Sequence, residues 1–317
     1  MIRSLARACQ DFLDLPDDGS VEAILHPGSR SDEGFVSFFL YRGGRPLCIA
    51  KVPRGDDANT ELEAASLRMA AHAVEGAPIV RTLDQVLETR HIAGRLVLFK
   101  EFRSGKPAAQ AIASKRDALV LPVFRSVAAW WIDYVEASRS HHVFEAEAKR
   151  EAVVSMLEPL GAIDMAAPWV QLFLSEGSAF LGPSHGDLVP ANVLMRGTVV
   201  DTVIDFENFT MGGFPSADLV GWIISTATKL HGRGDGMLSN TVIGGSGFAR
   251  EVALAVQAFT QRCDMPIEVF VDLLPLYSHR SLSIAARWGL EREADLHRRL
   301  LADFVAQRAA VLAAWTA

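Results

Sequence analysis

The sequence contains few cysteines and no long uninterrupted apolar run. Its three cysteines, Cys9, Cys48 and Cys263, are far apart in 317 residues, which argues against a disulfide framework or a cysteine-based zinc site. The most apolar stretch, "ALVLPVFRSVAAWWI", is interrupted by Pro122 and Arg125. It is also shorter than the roughly 20 residues that a membrane-spanning helix needs. We therefore expect no membrane partner.

Positive charge is also in short supply. The chain has 31 Lys and Arg against 38 Asp and Glu, giving a net charge of −7, whereas nucleic-acid-binding surfaces are basic. The N-terminal stretch "MIRSLARACQDFLDLPDD" lacks the apolar core of a signal peptide. With the scattered cysteines, these features predict a cytoplasmic protein that does not bind nucleic acid. Oligomeric state is left open.

The order of apolar patterns predicts an α+β fold with two lobes. The runs "VEAIL", "FVSFFLYR" and "LCIAKVP" are typical of strands, "DDANTELEAASLRMAAHAV" of a helix, and "IVRTLDQVLETRHIAGRLVLFKEF" of two strands around a turn. Mostly helical patterns follow, interrupted by the predicted β-hairpin "NVLMRGTVVDTVIDF". We divide the chain into an N-terminal antiparallel sheet lobe with one helix (1–101), a hinge (102–106) and a larger, mainly helical C-terminal lobe (107–317).

Polar residues flank the predicted hairpin at both ends. The loop "SHGDLVPAN" places Asp187 and Asn192 before it, and "VIDFENF" places Asp205 and Glu207 after it. Because a hairpin folds its ends together, these four side chains should converge. Magnesium prefers one or two carboxylates together with substrate phosphates. We therefore expect a magnesium site formed by Asn192 and Asp205, with Glu207 assisting, beside Asp187 as a proton acceptor.

A cation on the nucleotide phosphates would complete such a site. Lys51, near the end of an apolar strand, is the candidate, and it needs a carboxylate partner. Glu63 on the following helix is well placed, with Glu61 as the alternative. A Lys–Glu pair of this kind is by itself unspecific, because it also describes an ordinary surface ion pair.

These motifs resemble the aminoglycoside phosphotransferase and choline kinase group of small-molecule kinases. The matching segments are "HGDLVPANVL", "VIDFENF" and "ADLVGWI", with looser matches at "CIAKVP" and "ELEAASLR". The resemblance extends roughly from Gly28 to Trp222. It implies the two-lobed protein-kinase-like fold, a co-substrate ATP or GTP, and magnesium as cofactor.

The resemblance also implies residue roles. Asp187 would be the catalytic base, Asn192 and Asp205 the magnesium ligands, and Lys51 with Glu63 the phosphate-binding pair. Asp218 falls at a structural aspartate of the family. Two backbone segments would bind the nucleotide: a phosphate-side loop and an adenine-side hinge, that is Gly28, Ser29, Arg30 and Ser31, and Glu101 with Phe102.

The sequence departs from the family pattern in two places. Val189-Pro190-Ala191 stands where the family often has His-Pro-Gly, and the loop 28–34 contains only two glycines, so it is not a Walker-type loop. His185 is interpreted as shaping the loop, since no further metal-ligating residues accompany it at short spacing. A protein kinase is disfavoured because "ADLVGWI" follows Asp205 too soon for a long activation segment.

The acceptor is predicted to be a hydroxyl of a small molecule, such as an aminoglycoside, sugar, amino alcohol or nucleoside. From Leu219 onward the chain has ten basic and nine acidic residues, so no acidic pocket for a polycation is evident by count. Two other interpretations stay open. One is a non-catalytic nucleotide-binding module that acts through a protein partner, and the other is transfer of a different part of ATP, such as AMP.

Overall fold

The computed structural model describes residues 1–27, 34–143, 146–157, 165–175, 180–233, 237, 239–287 and 289–317. The α+β fold predicted from the sequence is confirmed: an antiparallel sheet near the N-terminus precedes a larger, mainly helical part. The boundary between the two lobes stays a prediction from the sequence.

The N-terminal sheet has five antiparallel strands in the order β1-β2-β3-β5-β4. Their bounds are β1 Val21–His26, β2 Phe35–Arg42, β3 Arg45–Pro53, β4 Val86–Ile92 and β5 Arg95–Glu101. Side chains alternate between the two faces of a strand. In β3, Cys48 and Ala50 are buried on one face, whereas Ile49 and Lys51 lie on the other and line a cleft.

Two helices accompany this sheet. The expected helix is α2 (Ala58–Ala73), which contacts β3, β4 and β5. Helix α1 (Ile2–Phe12) is not predicted from the sequence, although Leu5, Ala8 and Cys9 follow helical spacing and are buried beside Cys48. Its apolar face is one short stripe on an otherwise polar segment, which gives a weak signal without the sheet beneath it.

The larger part contains helices α3 to α11 and strands β6 to β10. The helices are α3 Ala108–Ala113, α4 Asp117–Ala137, α5 Ala146–Leu157, α6 Pro168–Ser175, α7 Pro215–His231, α8 Gly247–Arg262, α9 Ile267–Arg287, α10 Glu291–Ala306 and α11 Arg308–Thr316. The strands are β6 Lys106–Pro107, β7 Gly182–Ser184, β8 Val193–Arg196, β9 Val199–Val203 and β10 Thr210–Gly213. Trp131, Trp222 and Trp315 are fully buried in their shared core.

Helix α4 is long and apolar enough, by length and composition, to cross a membrane. However, 56% of its most apolar window is buried inside the fold, and a core helix passes the same test. Its residues Phe124 and Trp131 belong to the core, where the Trp131 indole donates to the Pro215 carbonyl. Packing inside the fold therefore accounts for its apolar character.

The predicted hairpin is formed by β8 and β9, and it brings its two ends together as expected. Val193 pairs with Val203, and the Ile204 N–H donates to the Asn192 carbonyl at 2.9 Å. The hairpin also meets the N-terminal part, because the Asp84 N–H donates to the Val203 carbonyl at 3.0 Å. This contact sets the loop and hairpin ends against the cleft face of the sheet.

Candidate active site

A chain of four alternating charges lies under the cleft. Lys51 Nζ donates to Glu63 Oε2 at 2.5 Å, and Lys100 Nζ donates to Glu63 Oε1 at 3.0 Å and to Asp84 Oδ2 at 2.6 Å. Glu63, not Glu61, is therefore the partner of Lys51. The Glu63 side chain is fully buried, whereas that of Lys51 is 13% exposed. Glu63 thus holds Lys51 from behind, with Lys51 at the cleft wall.

Glu63 and Lys100 retain their charges because the neighbouring groups compensate those charges. Burial alone would raise the pKa of Glu63, but the charges of Lys100 and Lys51 outweigh it and lower the pKa overall. Burial opposes the charge of Lys100 as well, yet Asp84 and Glu63 raise its pKa overall. Lys100 and Asp84 are site-supporting residues that the sequence analysis missed. A lysine inside an apolar strand run, "LVLFKEF", was the available signal.

The loop that carries Asp187 is fixed by its own buried residues. His185 is fully buried, accepts the Asp187 N–H at Nδ1 (3.3 Å) and donates from Nε2 to the Ile204 carbonyl (3.0 Å). Burial lowers the pKa of His185 to about 4, so this imidazole is neutral near pH 7. The expectation that His185 shapes the loop agrees with these contacts.

Asp218, in the first turn of α7, holds the same loop from the other side. Its carboxylate accepts from the Ser184 hydroxyl at 2.7 Å, the His185 N–H at 2.9 Å and the Gly186 N–H at 2.8 Å. Burial raises the pKa of Asp218 to about 7, although these three hydrogen bonds act to lower it. Gly186 has a φ of +79°, and a β-carbon there would lie 2.4 Å from the Asn208 carbonyl oxygen, so the loop requires glycine at this position.

Asp187 and Asn192 meet directly. Asn192 Nδ2 donates to both the backbone carbonyl and the Oδ2 of Asp187, each at 3.0 Å. Asp187 is accessible to solvent through a cavity, yet it is surrounded by protein atoms. This desolvation and the nearby charge of Asp205 raise the pKa of Asp187, while Asn192 and Arg280 act in the opposite direction. A carboxylate of raised pKa is a better proton acceptor.

Asp205 and Glu207 lie just beyond the hairpin. Asp205 adopts a left-handed conformation (φ 69°, ψ 58°), which is uncommon for a residue with a side chain and concentrates at functional sites. Its Oδ1 lies 3.7 Å from Lys51 Nζ, so the sheet and the hairpin meet here. Glu207 follows in the short 3-10 turn Phe206–Asn208, where desolvation in the cleft and the charge of Asp205 raise its pKa although the residue is exposed.

These oxygen-bearing side chains fit a magnesium ion. Asn192, Asp205 and Glu207 carry oxygen atoms of the kind that magnesium prefers. Lys51 lies 3.7 Å from Asp205, and Glu207 is influenced by the charges of Asp205, Lys51 and Asp187. Within the described residues no group of three or more His, Cys, Asp or Glu side chains could hold a metal ion alone.

Two cavities adjoin beside these side chains. The first, of about 670 Å³, lies between the sheet and the hairpin and is lined by Lys51, Lys100, Asp205 and Glu207 among others. The second, of about 530 Å³, lies between the Asp187 loop and helices α7, α9 and α10. Asn208 lines both cavities. The two cavities are therefore adjacent at Asn208, with Asp205 lining the first and Asp187 the second.

Of the remaining predicted nucleotide contacts, the structure describes those in the connector but not those in the loop. Glu101 lines the first cavity, but its N–H already donates to the Gln85 carbonyl at 3.0 Å and its carboxylate pairs with Arg103 at 2.6 Å. The Phe102 ring packs against Phe39 and Tyr41. Adenine recognition by this connector stays a prediction. Gly28, Ser29, Arg30 and Ser31 lie outside the described residues.

Comparisons with known proteins found similarity among solved structures only. No family model matches the chain, and no curated protein matches it. Among solved structures, it is similar to an aminoglycoside-3'-phosphotransferase of type VIII (TM-score 0.47, 18% identity, covering 86% of this chain and 98% of that one). It is also similar to an aminoglycoside phosphotransferase from Streptomyces rimosus in complex with ADP and streptomycin (TM-score 0.43, 18% identity, 87% and 99%). Both of these solved structures are aminoglycoside phosphotransferases.

Proposed function

We propose that this protein is a magnesium-dependent kinase that transfers the γ-phosphoryl group of ATP or GTP to a hydroxyl of a small molecule. The observation that carries the proposal is that two cavities adjoin at Asn208, the first lined by Lys51 and Asp205 and the second by Asp187. Glu63 binds Lys51, and Asn192 binds Asp187. Phosphoryl transfer requires mainly positioning and charge neutralisation, and these groups supply both. The nucleotide would occupy the first cavity and the acceptor the second.

Each residue has a role that follows from its position. Lys51, held by Glu63, binds nucleotide phosphate oxygens at the cleft wall. Asn192 and Asp205, with Glu207 beside them, would hold magnesium, which when bound neutralises charge on the phosphates. The connector at Glu101 and Phe102 and the loop at Gly28, Ser29, Arg30 and Ser31 would position the nucleotide from its two sides.

Asp187 orients the acceptor hydroxyl and takes its proton. As the hydroxyl oxygen bonds to the γ-phosphorus, the bond from that phosphorus to the β–γ bridging oxygen breaks, and ADP or GDP leaves with the bridging electrons. The hydroxyl proton passes to the Asp187 carboxylate, whose raised pKa favours acceptance. Asn192 fixes the orientation of this carboxylate through its 3.0 Å hydrogen bond to Oδ2.

The test is nucleotide consumption by the purified protein with aminoglycosides, sugars, amino alcohols and nucleosides as acceptors. Asp187→Asn should lower acceptor-dependent turnover by about 10²-fold or more, and change the Kd for magnesium ATP by less than about threefold. Asp295→Asn, at an exposed residue of α10 that pairs with Arg298, is the matched control and should turn over normally. Full activity in Asp187→Asn would contradict the assignment.

The same experiment distinguishes the rival function. A non-catalytic nucleotide-binding module would bind magnesium ATP and release no ADP with any acceptor, and a search for bound protein partners would then follow. Release of AMP-bearing products in place of ADP would indicate transfer of a different part of the nucleotide. We further propose that the protein acts in the cytoplasm, with neither nucleic acid nor membrane as a partner.

A further inference from the structure

One wall of the acceptor cavity is a single face of helix α9. Tyr277, Arg280, Ser281 and Ile284 all line the cavity, and their spacing of three, four and seven residues places them on one side of the helix. Arg280 is half-buried there. It lines this cavity and is absent from the lining of the nucleotide cleft. Its charge is therefore presented to whatever occupies the acceptor side.

The carboxylates around this cavity already have partners. Asp218 accepts three hydrogen bonds from the Asp187 loop, Glu293 pairs with Arg233 at 2.5 Å, and Asp187 accepts from Asn192. Arg280, by contrast, makes neither an ion pair nor a hydrogen bond within the described residues. The charges of Asp187 and Asp218 act on this guanidinium without an ion pair, so a ligand that supplies a contacting anion would compensate its partial burial.

A second polar group in the cavity lacks a partner. Nδ1 of His297, on α10, is buried and has no hydrogen-bond partner in the part of the chain that the structure describes. Burial lowers the pKa of His297 to about 4, so the ring is neutral near pH 7 and adds hydrogen bonding without charge. The cavity therefore presents one positive charge that makes no ion pair within the described residues, and a neutral polar group.

We propose that Arg280 binds an anionic group of the acceptor, a carboxylate or a phosphate, and so makes this cavity selective for hydroxyl compounds that carry negative charge. The inference rests on the proposed function, because it assigns the cavity to the acceptor. A planar guanidinium binds both carboxylate and phosphate through paired N–H groups. Polycationic acceptors would meet repulsion from Arg280 close to the reacting hydroxyl.

The experiment uses four sugars of one ring type: glucuronate, glucose 6-phosphate, glucose and glucosamine. Binding to the full chain with magnesium and a non-hydrolysable ATP analogue is measured by saturation-transfer NMR, and ADP release with ATP is measured in parallel. We expect at least one anionic sugar to bind about tenfold or more tightly than glucose, and glucosamine to bind least. Preference for glucuronate or for glucose 6-phosphate identifies carboxylate or phosphate as the group recognised.

Arg280→Gln should reduce the ratio of anionic to neutral sugar affinity by about tenfold. Arg298→Gln removes the same charge from an exposed position on α10 and should preserve the ratio. Equal binding of all four sugars, no binding of any, or an unchanged ratio in Arg280→Gln would overturn the inference. A uniform loss of turnover in Arg280→Gln, with the ratio intact, would instead assign Arg280 to the transferred phosphoryl group.

The outcomes separate this inference from the kinase proposal. If anionic sugars bind through Arg280 but no acceptor releases ADP, the anion subsite stands and phosphoryl transfer fails. If a neutral or cationic acceptor releases ADP and no anion binds preferentially, phosphoryl transfer stands and the subsite fails.

Discussion

Replacing Lys100 by methionine should mainly lower stability, whereas replacing Lys51 by methionine should mainly lower turnover, although both lysines bind the Glu63 carboxylate. Lys100 is 6% exposed and lies 2.6 Å from Asp84 and 3.0 Å from Glu63. Without it, the Asp84 carboxylate, at 3% exposure, would be left in the interior without its cation. Stranding a buried charge in this way costs about 3–5 kcal/mol of unfolding free energy.

Lys51→Met does not leave a buried carboxylate without a cation. Glu63 would still be paired with Lys100, so we expect a loss of only about 1 kcal/mol in unfolding free energy. The cleft, however, would lose the cation that faces Asp205 and the nucleotide phosphates. Turnover should therefore fall by about 10²-fold, while Lys100→Met destabilises the fold first.

Urea denaturation at pH 7 measures the stability effects, and calorimetric titration with magnesium ATP measures binding. A double-mutant cycle with Asp84→Asn supplies the internal control. Because removing both partners strands no charge, Lys100→Met combined with Asp84→Asn should recover about 2 kcal/mol relative to Lys100→Met alone. A loss below about 1 kcal/mol in Lys100→Met, or no recovery in the double variant, would refute the reasoning.

Two further predictions concern the loop and acid stability. Gly186→Ala should lower the unfolding free energy by about 2 kcal/mol or more and impair turnover, because its β-carbon would clash with the Asn208 carbonyl oxygen. The control Gly197→Ala, at φ +65° but in open space, should lower it by about 1 kcal/mol. Equal losses in urea denaturation would contradict this explanation. Burial lowers the pKa of His142 to about 4 from 6.5, so the unfolded chain binds its proton first and stability falls as pH drops from 6.5 toward 4. Between pH 7.5 and 5 this amounts to about 2 kcal/mol, which His142→Gln should remove from the pH profile; an unchanged profile would count against it.

Local patterns in the sequence were sufficient for most of the N-terminal sheet and the hairpin. The strand runs have period-two alternation, and the Ala93-Gly94 turn has positive φ at both residues, as a tight hairpin requires. Helix α1 was missed because its apolar stripe has meaning only against the sheet on which it packs. Pairing within short sequence distance is thus predictable, whereas docking of a polar helix is not.

The residues of the site can also be divided into those that local sequence spacing places and those that only packing places. Asp187, Asn192 and Asp205 lie within one loop and one hairpin, so their spacing in the sequence already brings them close. Lys100, Asp84 and Arg280 are separated from their neighbours in the site by strands or helices whose packing the sequence does not specify. Only the folded chain shows that Glu63 lies between two lysines and that Arg280 lies beside Asp187.

The arrangement also explains why the site lies between two structural units. The sheet contributes the Lys51–Glu63 pair, and the hairpin and its loop contribute Asp187, Asn192 and Asp205. These units are in direct contact at the 3.7 Å approach of Lys51 to Asp205 and at the hydrogen bond from the Asp84 N–H to the Val203 carbonyl. Asp84 therefore acts twice: its backbone ties the sheet part to the hairpin, and its carboxylate neutralises Lys100, which supports Glu63. A single residue thus couples the position of Lys51, the proposed phosphate-binding residue, to that of the proposed metal ligands, although it need not contact substrate at all.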